Sequence, residues 1–146
     1  MADQLFQVFE LPDIPDDEQY DERYRSSVSF DFEKGDFVRD GANRMVVAEG
    51  KDVFLQWCLK TVATERDAFL AYSTDIGTEF EELRDVPDRE SRESEIERMI
   101  TEALLVHPAC EYVRNFEFEH EGDETWVTFT VKGYPWEEDD SLTVSV

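Results

Sequence analysis

The chain has 146 residues, about the size of one ordinary domain and too short for two comfortable ones. Hydrophobic residues make up 40% of it, with 11 Phe, 5 Tyr and 3 Trp, which is ample apolar material to offset the entropy of folding. With 37 Asp and Glu against 14 Lys and Arg the formal charge is −23 at pH 7, which argues against nucleic acid and against membrane, since both are held by clustered Lys and Arg.

Self-repulsion at this charge favours a soluble monomer until a basic partner arrives. The same acidity would also fit a salt-adapted host. Cys58 and Cys110 lie far apart without metal-ligand spacing, and Met1 to Leu11 lacks the basic start and apolar run of a signal peptide. Synthesis in a reducing cytoplasm is the expectation.

Residues 1–25 combine a short apolar patch (Leu5, Phe6, Val8, Phe9, Leu11) with a proline- and acid-rich stretch from Pro12 to Glu18, which predicts an extended arm. Residues 26–146 are expected to form the single domain. Val28, Phe30 and Phe32 alternate with polar residues as in a half-buried strand, and the turns at Glu33–Asp36 and Asp40–Asn43 before the apolar run Met45–Val47 suggest a short β-meander or a strand with a decorated loop.

A helix is predicted from Asp52 as N-cap, its apolar run from Val53 to Val62 covering more than one face. Ser73 to Gly77 separates it from a helical turn at Glu79–Leu83. A second helix follows from Ile96, Met99, Ile100, Ala103 and Leu104 at three- and four-residue intervals, with Ser91 or Ser94 as its cap and Pro108 after its end. Tyr112, Phe116 and Phe118 then alternate with polar residues, Glu121-Gly122-Asp123 turns the chain, and Val127, Phe129 and Val131 alternate again, which is a β-hairpin. Leu142, Val144 and Val146 repeat the strand pattern after an acidic loop. The fold class is α+β: a small mixed or antiparallel sheet packed against two main helices.

Catalysis needs convergent groups, and few are offered. His107 sits at a helix end and His120 at a strand end, and since a functional His must be oriented by a second group, neither is expected to be catalytic. Among 37 acids any carboxylate pair can be drawn, so no single pair is evidence for hydrolysis. Asp36 to Gly41 lacks the alternating acids of a calcium loop, and six unclustered glycines form no phosphate cradle. No metal, cofactor or catalytic residue is expected.

The order of elements from Val28 to Val131 resembles the sheath-initiator family of phage contractile-tail baseplates, the type found in defective prophages and related to baseplate wedge proteins once labelled lysozyme-like. Ser29-Phe30-Asp31-Phe32 with the Gly35-Asp36 turn is similar to the family's opening strand. Trp57 to Thr61 with Glu65-Arg66 is similar to its first helix and helix end. Asp75-Ile76-Gly77 with Leu83, then Glu95 to Leu104, Pro108, Val113 and Phe116, are similar to its later elements. One departure is His107-Pro108-Ala109, where wedge relatives often carry Glu-Pro-Arg; Arg114 is a candidate substitute for the missing charge.

The resemblance implies a structural subunit, not an enzyme, made in the host cytoplasm and built into the virion tail baseplate in six copies. It would bridge wedge proteins and the first ring of sheath protein and template sheath assembly, with tube or hub proteins as further neighbours. Arg66, Pro108, Arg114, Leu142, Val144 and Val146 are the candidate partner-binding residues. Arg66 is also expected to tie the first helix end to nearby carbonyls or acids. The terminal strand is expected to pair with a sheath strand or to lie at the sheet edge where such pairing begins; the alternative is an internal edge strand that completes the core. Two other functions stay open on the residues alone: a tail-associated peptidoglycan hydrolase with a Glu general acid, and an acidic binder of a basic protein.

Overall fold

The computed structural model describes residues 25–146. The arm expected over 1–25 lies outside the described residues, apart from Arg25. The element order is β1 (Ser27–Val28), β2 (Phe30–Asp31), β3 (Asp36–Phe37), β4 (Val47–Ala48), α1 (Lys51–Ala63), a 3₁₀ helix (Phe80–Asp85), α2 (Arg89–Leu105), β5 (Cys110–Glu121), β6 (Glu124–Gly133) and β7 (Asp140–Ser145). All three sheets are antiparallel: β1 with β4, β2 with β3, and a main sheet in the order β5-β6-β7. The fold is α+β, as the sequence predicts.

Strict alternation makes β6 the centre of that sheet. Val127, Phe129 and Val131 are buried, while Trp126, Thr128 and Thr130 face the other way. The buried set joins Leu142 and Val144 of β7, Ile96, Met99, Ile100 and Leu104 of α2, and Phe54, Cys58 and Val62 of α1 in one core. Each large side chain so buried contributes about 1.5–3 kcal/mol. Phe116 stacks on Phe129 at 5.7 Å between ring centroids, which fixes the β5 side of this core.

Four local expectations are corrected. Tyr112 does not share a face with Phe116 and Phe118: the pairing with β6 shifts between Arg114 and Glu117, and Asn115 there adopts a φ of 57°. The irregularity reverses the alternation, so Val113 packs on the core and Tyr112 sits with the charges outside. The α2 cap is Asp88, which accepts from the Ser91 backbone N–H at 2.8 Å, and not Ser91 or Ser94.

The first helix begins at Lys51, behind Gly50, with Asp52 in its first turn instead of at the cap. Gly50 has a φ of 57° and a ψ of −123°, a positive-φ conformation open chiefly to glycine that lets the chain swing from β4 into the helix. Within α1 the fully buried residues form a narrower stripe than expected, Phe54, Cys58, Thr61 and Val62, with Leu55, Trp57 and Leu59 packed against it and partly exposed.

Gln56 fastens the small ladders to α1. Gln56 Oε1 accepts from the Phe30 backbone N–H at 2.9 Å, and its Nε2 donates to the Val28 carbonyl at 2.8 Å. This amide supplies a donor and an acceptor to strands too short to satisfy themselves.

Candidate partner-binding surface

Arg66 lies just beyond α1, where the chain after the helix meets residues 77–79. Its Nη2 donates to the Gly77 carbonyl at 3.1 Å, and its Nη1 pairs with Glu79 Oε1 at 3.1 Å. The backbone completes the junction: Arg66 N donates to Thr78 O at 2.8 Å, and Thr78 N donates to Thr64 O at 2.9 Å. Thr78 itself is buried, its hydroxyl donating to Val62 O at 3.1 Å. The expected structural tie is therefore present, and only a glycine allows it: a Cβ on Gly77, whose φ is 110°, would meet Thr64 O at 2.7 Å and Arg66 N at 2.9 Å.

Beside it, Glu65 lines an open cleft of about 600 Å³ with Phe80, Leu83, Ile96, Asp123 and Val146. Burial holds its carboxyl above the usual range, and the like charges of Glu81 and Glu79 add to the effect. Burial and repulsion are enough to explain the shift without a catalytic role.

Pro108 is exposed in the turn between α2 and β5. That turn is organised by His107, whose Nδ1 accepts from Ala109 N at 3.0 Å while its ring packs edge-on against Trp57 at 4.6 Å and Phe54 at 5.5 Å. Arg114 stands on the outer face of β5. Its guanidinium lies 4.2 Å over the Tyr112 ring and donates to Asp139 Oδ2 at 3.2 Å. Tyr112 donates to the same oxygen at 2.9 Å, and these two bonds hold the Asp139 carboxyl below its ordinary range. The acidic loop before β7 is thereby held against the sheet.

The terminal strand pairs antiparallel with β6 over the whole of Asp140 to Ser145. It completes the core and also forms an edge of the sheet. Leu142 and Val144 are each only 9% exposed, and Val146 packs against the core, so these side chains are engaged within the chain. The register also shows which backbone groups are engaged. Thr125 and Val146 exchange both hydrogen bonds, Val146 N to Thr125 O at 2.8 Å and Thr125 N to Val146 O at 3.4 Å. In an antiparallel ladder such pairs alternate with pairs whose N–H and C=O groups point away from each other. Counting back, Val144 and Leu142 face β6, and Ser141, Thr143 and Ser145 turn their main-chain groups toward the open edge. All three are exposed.

The structure thus gathers Leu142 and Val144 on one strand with Val146 just past its end, sets Arg114 against the loop leading into it, and keeps Arg66 and Pro108 in separate junctions. Ser141, Thr143 and Ser145 are the edge residues that the alternation of apolar side chains did not single out. A sequence count gives the side-chain face, whereas the direction of each N–H depends on the register against β6.

Of the two edges of this sheet, β5 carries register shifts at Cys110–Tyr112 and Arg114–Glu117, whereas β7 pairs without interruption. A bulged edge resists strand addition and a regular one invites it. Against this geometry, the family of contractile injection system sheath initiators matches residues 26–134. The chain belongs to that family. The sheath-initiator match covers every element from β1 to β6 and stops before β7. A similar protein is the "Phage-like element PBSX protein XkdS" of Bacillus subtilis (strain 168), 30% identical over 106 residues, which cover 70% of each chain. The sheath-initiator family is structural and not an enzyme family, and membership gives this chain a sheath-related structural role in a contractile injection system. No helix among the described residues is long and apolar enough to cross a membrane.

Proposed function

We propose that this chain sits in the tail baseplate between the wedge proteins and the first sheath ring, and that it starts the sheath by offering the β7 edge to a sheath strand. The observation that carries this reading is the regular, exposed edge at Ser141, Thr143 and Ser145, on a strand whose Leu142 and Val144 are buried in the core. Main-chain hydrogen bonds to an added strand provide affinity, and the outward side chains of the same three residues provide specificity. Six copies around the tail axis would present six such edges, and Pro108 and Arg114, on the β5 side, are left for the wedge contact. Residues 26–146 act as one unit in this arrangement, and no chemistry is asked of it.

Removing the chain from a tail-producing strain tests the role. Baseplates and tubes without ordered sheath are expected in electron micrographs; normal sheathed tails would contradict it. A hydrolase reading has one observation in its favour, the raised Glu65 in its cleft. It predicts turnover of purified peptidoglycan that Glu65→Gln abolishes. The structural reading predicts no turnover by either protein.

A further inference from the structure

A second surface has no part in the β7 edge. Between the small ladders and α1 lies a groove of about 670 Å³ with an apolar floor of Phe30, Phe32, Phe37, Val53 and Trp57. That volume is in the range of clefts that bind ligands. Phe30 meets Phe32 at 5.1 Å and Phe37 at 5.3 Å, both edge-on, so the aromatic wall is built. Yet Phe32 stays 38% exposed and Phe37 42%. The basic side chains of Lys60 and Arg25 also line the groove.

We infer that this groove is the dock for the chain's own segment Leu5–Leu11. Three observations select that occupant. Arg25 lines the groove, so the 24 residues that precede it start from the groove itself. Within them, Leu5, Phe6, Val8, Phe9 and Leu11 supply the apolar side chains that the floor lacks, and the tether 12–24 carries Asp13, Asp16, Asp17, Glu18, Asp21 and Glu22 to set against Lys60 and Arg25. A tether of that length has a mean reach of roughly 20 Å and an upper limit of about 45 Å, ample to turn back onto the groove. Intramolecular docking also has the advantage of an effective concentration in the range of ~1 mM. A second copy would have to overcome the repulsion between two chains of charge −23. The residues before 26 lie outside the family match.

The test uses the full chain and the indole N–H resonances of its three tryptophans, Trp57, Trp126 and Trp136. Only Trp57 lines the groove. In the variant Phe6→Ser/Phe9→Ser the Trp57 resonance is expected to shift, with Trp136, a core neighbour of Phe54 at 5.7 Å, unmoved. The wild-type Trp57 resonance is expected to stay constant on dilution. A Trp57 resonance unchanged by the double substitution would overturn the proposal. So would a joint shift of Trp57 and Trp136, which means a global effect, or a dilution-dependent wild-type resonance, which means that another copy supplies the segment.

Discussion

Gly77→Ala is the sharpest perturbation of the junction behind α1. The new Cβ would lie 2.7 Å from Thr64 O and 2.9 Å from Arg66 N, and both contacts are backbone atoms. Neither can retreat alone, because Thr64 O accepts from Thr78 N at 2.9 Å and Arg66 N donates to Thr78 O at 2.8 Å. Backbone strain at a φ of 110° costs about 1–3 kcal/mol in a residue other than glycine. Weakening the two hydrogen bonds costs roughly 1 kcal/mol more. The expected loss is about 2–4 kcal/mol, a large share of a typical stability of 5–15 kcal/mol. Urea denaturation read by circular dichroism measures it, with Gly35→Ala as the comparison: its φ is 68° and nothing lies within 4 Å of the added carbon. Gly35→Ala should cost distinctly less. Equal losses from the two substitutions, or a Gly77→Ala change under about 0.5 kcal/mol, would refute the steric reasoning.

Arg66→Ala should destabilise by about 1–3 kcal/mol through loss of its bonds to Gly77 O and Glu79, and should couple with Gly77→Ala in a double-mutant cycle, since both act on one junction. Glu65→Gln should raise the melting temperature at pH 7. Folding lifts the Glu65 carboxyl above its ordinary value of 4.5, so the native state holds the extra proton and loses stability as pH rises through that window; the gain from Gln should therefore fade below pH 4.5, and a gain that persists there would contradict the sign. Burial pushes the Cys110 thiol up to about 11 and that of the fully buried Cys58 higher still. Neither should react with iodoacetamide at pH 8 in the native protein on the timescale at which the urea-unfolded chain reacts completely.

Where side-chain period and local structure coincide, the sequence is legible. The α2 stripe and the β6 alternation translate directly into buried residues, because 3.6- and 2-residue periods leave no other face for the same set. Tyr112 was misread because the irregularity at Asn115 reverses the parity of β5, and nothing in an Asn between charged and aromatic residues announces a φ of 57°. Gly50 and Asp88 displaced the expected caps since several residues near each helix start have capping chemistry and the tertiary path selects one. Arg66 was found as a helix-end arginine with carbonyl and acid partners. Its dependence on Gly77 is a contact between backbones, invisible in a side-chain pattern. The β7 edge was expected from the terminal alternation, but Ser141, Thr143 and Ser145 as its outward-bonding residues were missed, for the related reason that a strand's outward hydrogen bonds are set by its neighbour.

The central claim rests on that edge, and Thr143→Pro tests it most directly. Thr143 directs its N–H outward, where proline is tolerated on an edge strand, so the purified variant should melt close to wild type; Val144→Pro, which removes a ladder bond to β6, should lose far more stability. In particles assembled with Thr143→Pro as the sole copy, electron microscopy should show baseplates and tubes without ordered sheath, whereas Thr143→Ser should restore sheathed tails. Normally sheathed particles from a stably folded Thr143→Pro chain would contradict the account.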